Sequence, residues 1–493
     1  MNVLEDTTEE TLAAIAKAQT TGILESTGAY SYDLTGIVRL IPVVMPFRDK
    51  VGRKGSQDGS PFAIWRSYMN VNNQQPSPFP GFDFASNEVI FSEQDFQAKY
   101  MPLGLAGLVT QDAFDLAKGL YDPYAEATMQ VLNQVLISED KALIGAQSFA
   151  LAQPGAMTTT PATTGGSLPA STTQTVAVAA RTGAGYYFGG SVAGQCNSRG
   201  KASGAITTTG TTGSIACSVP AVRGAVAYDW FYAADGATYK YYGTTTVAAV
   251  TITAVVGGAN NPVSPLPDIS TQTPSLNLAA DNGSAQATQF DGLMASLSGD
   301  YNNSGQFVQS GTANTNGAVF VDGGGAALSL SGGSVLQIES IFASLWNQVK
   351  CSPTALMMNA TVAQEIANLV LSQPSAVTYL NTDTAGRINV TAGGTVGQIV
   401  NTPAGGVTVP IEVHTSLPPG TIVARTDRVP FPQSNIANTL EVRTLRDMSQ
   451  FDYATNRVAG QAGGGPRKEF EIRSVEAFIN RAPVAMGVLA NIA

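Results

Sequence analysis

Apolar positions along the chain first recur at helical spacing over residues 9–18, then turn extended through Thr35-Gly-Ile-Val-Arg-Leu-Ile41, which predicts an N-terminal arm over 1–40. From 41 to 100 the β-like runs Ala63-Ile-Trp-Arg-Ser-Tyr68 and Glu88-Val-Ile-Phe91 alternate with the breakers Gly55, Gly59, Pro76, Pro78 and Pro80, the pattern of a long hairpin. Two strands cannot bury a core of their own, so this stretch is expected to lie on other subunits. A helical unit follows. Thr110 is placed to cap residues 111–118, with Gly119 closing them, and Asp122 to cap a second helix with Pro123 at its first position. Met129, Leu132, Leu136 and Leu143 keep helical spacing, so this helix is predicted to run to Ile144 and end at Gly145.

The pattern changes at 151–285. This tract holds nine charged residues (Arg181, Arg199, Lys201, Arg223, Asp229, Asp235, Lys240, Asp268, Asp281) and no Glu. Val226, Tyr228, Trp230 and Tyr232 alternate with Ala225, Ala227, Asp229 and Phe231, and Asp235-Gly236 turns the chain into 238–242, a predicted hairpin. Thr, Val and Gly dominate the remainder of the tract, through the β-like runs 175–180 and 247–256, which predicts an inserted β-sandwich of immunoglobulin-like type, with 154–174 and 258–285 as linkers. Helical patterning then resumes. Phe290, Leu293, Met294 and Leu297 form one stripe, and Ile338, Ile341, Phe342, Leu345 and Val349 a second behind a Ser334-x-x-Gln337 capping box. A strand is predicted at 355–358, a helix from Thr361 boxed to Gln364, and further strands at 407–415, 421–425, 439–445 and 470–478. With 493 residues the chain is long enough for two or three domains, and its fold class is α+β.

Composition narrows the function. The chain is 44% hydrophobic but only 13% charged, which points to turns, strands and surface committed to neighbouring subunits. A net charge of −10 leaves no global basic field for phosphates, so the chain is not a nucleic-acid reader. The N-terminus, with Glu5, Asp6, Glu9 and Glu10, is acidic where a signal peptide is basic, and no apolar run nears the roughly 18 residues that span a bilayer. The expectation is a protein made and assembled in the cytosol.

Candidate chemistry is sparse. Cys196, Cys217 and Cys351 have no metal-ligand spacing and read as reduced core residues, with a Cys196–Cys217 bridge as the minor alternative. The single histidine, His414, alternates with Ile411 and Val413 beside Glu412 and reads as an exposed strand residue, not a catalytic base. Gly183-Ala-Gly185-Tyr-Tyr-Phe-Gly189 has the wrong spacing for a dinucleotide loop and reads as a strand turn. Val51-Gly-Arg-Lys-Gly-Ser56 lacks the phosphate-loop pattern and reads as a solvated hairpin segment, or one facing acid on a neighbour. The acidic pairs at Glu9 and Glu10 and at Glu93 and Asp95 read as helix-start or solvated charges. No catalytic, cofactor or metal site is assigned, and the chain is read as no enzyme.

Several stretches carry a family resemblance. They are Tyr100-Met-Pro-Leu-Gly-Leu-Ala-Gly-Leu-Val-Thr110 entering the helix, Ser138-Glu-Asp-Lys-Ala-Leu-Ile-Gly145 at its end, Phe290-Asp-Gly-Leu293, Pro353-Thr-Ala-Leu-Met-Met-Asn359, Leu417-Pro-Pro-Gly-Thr-Ile-Val423, and Glu469-Phe-Glu-Ile-Arg473 running to Asn480-Arg-Ala-Pro-Val-Ala485. In order and spacing the chain resembles the major capsid proteins of tailed double-stranded DNA phages, of the Hong Kong 97-type fold. The resemblance covers about residues 35–150 and 290–493. It implies an arm at 1–40, an extended loop at 41–105, a spine helix and peripheral domain at 106–150, an axial domain at 286–430 and a peripheral return at 431–493, with the 151–285 insertion projecting outward as a decoration-like domain.

Some family members link a loop lysine to an asparagine. By that resemblance Lys50 or Lys54 and Asn480 would be the candidates here, in local sequences that do not match a cross-linking motif. The implied function is a shell subunit that self-assembles as hexamers and pentamers into an icosahedral head enclosing double-stranded DNA. Scaffolding, portal and decoration proteins are the implied partners, the virion is the implied location, and assembly takes place in the bacterial host cytoplasm. The competing readings are an exported, adhesin-like β-rich surface protein and a hydrolase using Ser, Thr or carboxylates.

Overall fold

The computed structural model describes residues 45–55, 59–68, 93–117, 122–187, 198, 200–236, 239–255, 289–302, 306–308, 317–331, 334–371, 381–382, 388–389, 396–429, 438–453 and 467–493. The predicted arm, the run 88–91, Cys196 and the 258–285 linker lie outside them. The fold is mixed α+β.

Met101–Thr110 is an extended run whose backbone pairs antiparallel with Arg467–Asn480, Thr110 opposite Arg467 and Met101 opposite Glu476. Arg467–Asn480 pairs in turn with Leu440–Tyr453, and the short strand Gly52–Gly55 adds in parallel at the far edge. Thr110 then caps Gln111–Leu116, its Oγ1 accepting from Ala113 N at 3.4 Å. Asp122 caps the long helix Pro123–Gly145, accepting from Tyr124 N at 2.9 Å and Ala125 N at 3.3 Å. Both caps and both ends of the long helix fall where the residue pattern predicts.

The buried face of the long helix differs from the predicted stripe. Ala127, Val135, Ala142 and Leu143 are buried, whereas Met129 is 44% exposed. Met129 stands two positions from Ala127, about 200° round the helix, and only one side lies on the sheet, against Val109, Phe470 and Ile472.

Phe62–Tyr68 and Glu93–Lys99 form the predicted antiparallel hairpin, Phe62 opposite Lys99 and Tyr68 opposite Glu93. The expectation that this stretch lies on other subunits fails at its base, which packs within its own chain. Period-two alternation sends Ala63, Trp65, Phe96 and Ala98 to one face, and that face is buried in the same chain with Phe149, Ala295, Phe307 and Ile479. Trp65 stacks on Phe96 at 5.6 Å, and Ser67 Oγ donates to Arg481 O at 2.7 Å. The opposite face carries the exposed Ile64, and Arg66 on it pairs with Asp95 at 2.6 Å and Glu93 at 3.1 Å. Glu93 and Asp95 are therefore partnered on the hairpin surface.

A six-stranded mixed sheet runs in the order Val319–Asp322, Gly487–Ala490, Ile422–Arg425, Ala355–Met358, Val407–Val413, Gln398–Asn401. It draws strands from both sides of residue 431, because Gly487–Ala490 pairs between Val319–Asp322 and Ile422–Arg425. Leu336–Val349 packs on it through Ile338, Ile341, Phe342 and Leu345, four positions of the predicted stripe, and Val349 is buried beside Cys351. Neither predicted capping box forms. Val335 holds the N-cap position of that helix and Gln337 accepts from Ser329 N at 3.1 Å, while Asn359 Oδ1 takes Thr361 N at 3.1 Å ahead of Ala360–Leu371. In each case a nearer side chain or strand satisfies the groups that the box would have joined.

Within 151–285 two antiparallel sheets share a core. One orders Lys240–Thr245, Ala227–Ala233, Ser171–Arg181 and Lys201–Ala202, with Ile206–Thr208 also on Ser171–Arg181, and the other orders Ala249–Ile252, Ser214–Ser218 and Thr158–Ala162. Val176, Val178, Tyr228, Trp230 and Tyr232 meet Ile215, Cys217 and Ile252 between them. Strands occupy 158–162 and 171–174 of the stretch 154–174, so that edge is not a linker. Gly183–Tyr187 is a short helix against the end of the long one, not a strand turn, and a Cβ on Gly183 would come within 2.6 Å of Gly145 Cα. At the other end Ala248 N donates to Asn491 Oδ1 at 2.8 Å, so the insertion is stitched to the C-terminal strand.

Candidate functional site

Residues 45–55 lie where the long helix, the four-stranded sheet and the mixed sheet meet. Phe47 is fully buried, with its ring 6.1 Å from Phe478 and 6.4 Å from His414. Its backbone is held as firmly: Phe47 N and Arg48 N both donate to Asp140 Oδ1, at 3.0 and 2.9 Å, and Ser416 Oγ donates to Asp140 Oδ2 at 2.9 Å. A buried carboxylate this well supplied with donors is a satisfied structural group.

Three cations of the segment reach three acids on different elements. Arg48 Nε meets Glu139 Oε2 of the long helix at 2.7 Å, Arg53 pairs with Glu139 and, at 3.6 Å, with Glu476 of the sheet, and Lys50 Nζ meets Glu412 Oε1 at 2.6 Å. Glu139 and Glu476 have no exposed side-chain surface. Burial pushes the Glu476 carboxyl above its ordinary range, against the pull of Arg53 and Arg48. Burial acts on Glu412 in the same direction, yet His414, Lys50 and Arg425 outweigh it and bring its carboxyl down to about 2. Arg425 closes the network, 3.1 Å from Glu412 and 2.9 Å from Asp427.

His414 is therefore buried, not the exposed strand residue the alternation predicted. The strand Val407–Val413 ends one residue before it, and Phe47 covers the turn that follows. Within Val51–Gly55 it is Arg53 that faces acid, and the acid belongs to its own chain instead of a neighbour, while Ser56 lies outside the described residues. The alternation of residue types could not locate this junction, because the ion pairs of Arg48, Lys50 and Arg53 join residues far apart in sequence, about 90 for Arg48 and Glu139.

Asn480 is buried, with Nδ2 donating to Ser296 Oγ at 3.0 Å and Oδ1 accepting from Ala482 N at 3.1 Å. Lys50 is occupied by Glu412, and Lys54 lies exposed on the edge strand. Cys217 and Cys351 are free and buried, and burial raises both thiols, Cys217 to about 12. Among the described residues no group of three or more His, Cys, Asp and Glu side chains is arranged to hold a metal ion, and no helix is long and apolar enough to cross a membrane. A cavity of about 250 Å³ lies between Met101–Thr110 and the long helix, lined by Met101, Leu103, Leu105, Val135, Ala142 and Phe290.

Three solved structures that resemble the chain along its length are capsids. The capsid of a native GTA particle has 8% identity and a TM-score of 0.41, over 94% of each chain. That of cyanophage A-1(L) has 8% identity and a TM-score of 0.45, over 93% of this chain and 95% of its own. That of Myoviridae phage XM1 has 10% identity and a TM-score of 0.38, over 96% of this chain and all of its own. No protein-family model and no curated protein matches the chain.

Among the described residues its acids are met by cations or hydrogen-bond donors, which gives the junction the chemistry of a clamp. It fixes the approach of the chain to the hairpin at 62–99 relative to the long helix and both sheets.

Proposed function

We propose that this chain is a non-catalytic structural subunit that self-assembles into the icosahedral head of a tailed phage around double-stranded DNA. One arrangement carries the reading. The hairpin Phe62–Tyr68 and Glu93–Lys99 is rooted in the body by one face, leaves Ile64 on the other, and runs directly into the strand and long helix of the sheet domain. A two-stranded ribbon with one covered face supports a role in lapping on neighbours through the other. On this reading 41–105 is the extended loop, 106–150 and 431–486 form the peripheral domain, and 286–430 with the strand Gly487–Ala490 is the axial domain. The 151–285 insertion serves as an immunoglobulin-like, decoration-type domain. Hexamers and pentamers build the shell, scaffolding, portal and decoration proteins are its partners, and assembly precedes release of the virion from the host cytoplasm. The low charge of the insertion and the acidic balance of the chain suit a wall that encloses DNA without reading it. Size-exclusion chromatography of the full chain tests the proposal: capsomer-sized or larger species are expected, and a stable monomer at every concentration would overturn it.

A further inference from the structure

Gly52–Gly55 is held by an unusual balance. Among the described residues it is a four-residue strand at the end of its sheet, joined in parallel to 441–444 alone, with Arg53, Lys54 and Gly55 exposed. So short an edge ladder adds little by itself, and local opening begins at such elements. Its grip comes from Arg53, which reaches Glu139 and Glu476, while the apolar anchors Phe47 and Val51 precede it in the chain. If the strand lifts, the 441–444 edge loses its partner and two buried carboxylates lose a cation. The occupant that answers this vacancy is already defined by the resident: an extended segment with an arginine between glycines. A second copy of the chain carries the same segment. Exchange restores every contact that opening removes, so it costs little beyond association.

We propose that Gly52–Gly55 is an exchangeable edge strand, and that the place it fills beside 441–444, over Glu139 and Glu476, is an interaction surface for the same segment of a second copy. The inference does not depend on the capsid reading, since it concerns the pairing of two chains whatever they go on to build. Charge sets the selectivity: only a strand bringing a cation to the two acids repairs the vacancy.

The register supplies the test. Gly55 lies opposite Thr444, and a Cβ on Gly55 would meet nothing within 4 Å. Adjacent strands bring such partners within disulfide range, about 4.4–6.8 Å between Cα atoms. Full-length chains carrying Gly55→Cys or Thr444→Cys are made with Cys196→Ser, the remaining Cys217 and Cys351 being buried. They are mixed under oxidised glutathione, and disulfide-linked peptides are mapped by mass spectrometry. A chain with both cysteines should close the bond internally, which verifies fold and register. The mixture should give a 55–444 dimer at twice 51.0 kDa. Arg53→Ala in the Thr444→Cys chain, which frees the acceptor, should raise the yield about tenfold, and the same change in the Gly55→Cys chain should lower it about as much. Absence of the 55–444 dimer, or a yield indifferent to which chain carries Arg53→Ala, would overturn the proposal.

Discussion

Phe47 and Gly107 illustrate how single positions carry this fold. Phe47 fills the main core between His414 and Phe478, and no gradual loss is available to so enclosed a ring. Phe47→Ala is expected to cost about 3–5 kcal/mol in chemical denaturation, and a loss below 1 kcal/mol would mean that the segment is not seated as described. Gly107 stands opposite Phe470, whose ring lies across the glycine and edge-on to Tyr124 at 5.1 Å. A Cβ there would collide with that ring. Gly107→Ala should therefore destabilise by about 1–3 kcal/mol, although alanine suits a strand no worse than glycine. Asn491 combines a left-handed backbone, φ 62°, with hydrogen bonds to Ala248 N and Asp322 Oδ1, both at 2.8 Å. None of these three roles is visible in local residue type, since each is set by a partner distant in sequence.

At the scale of elements, the hairpin base makes the sharpest prediction. Trp65→Ala should speed amide exchange across 62–68 and 93–99 while leaving the middle of Pro123–Gly145 protected, because the satellite core around Trp65 is separate from that under the long helix. Equal loss in both would show the hairpin to be part of one cooperative core. Elements whose signal is local were legible in the sequence. Thr110, Asp122 and Pro123 marked the helix starts through cap chemistry, and alternation marked the hairpin at 227–245, which turns through Gly236 with φ 76°. Elements whose form depends on a neighbour were not. Gln337 turned to Ser329 instead of closing a capping box, Gly183–Tyr187 coiled against the long helix, and His414 was covered by Phe47. The same limit hid the ionic junction, whose residue types read as solvated charge until the fold set them against buried acids.

For the whole molecule, opposing carboxyl groups set the response to pH. Burial holds Asp229 and Asp291 at about 6, above an ordinary 3.8, so the folded chain keeps protons that the unfolded chain has released, and their contribution to stability falls as pH rises through that window. Glu412, drawn from 4.5 to about 2, contributes stability above 4.5 that is lost as pH falls towards 2. Calorimetry should therefore find Tm highest near about pH 4 and lower at pH 7, with Asp291→Asn flattening the fall between them. A Tm rising steadily from pH 5 to 7 would contradict the assignment. The insertion bears on the whole as well, since Asn491 and the contact between Gly183 and Gly145 hold it to the body at both ends. It is expected to move with the body of the chain. The most direct measurement of the central claim is electron microscopy of the full-length chain expressed in bacteria. Closed shells built of hexameric and pentameric rings, with the Ile64 and Arg66 face of each hairpin against a neighbouring copy, are the predicted result; a monodisperse monomer, with that face open to solvent under all assembly conditions, would contradict it.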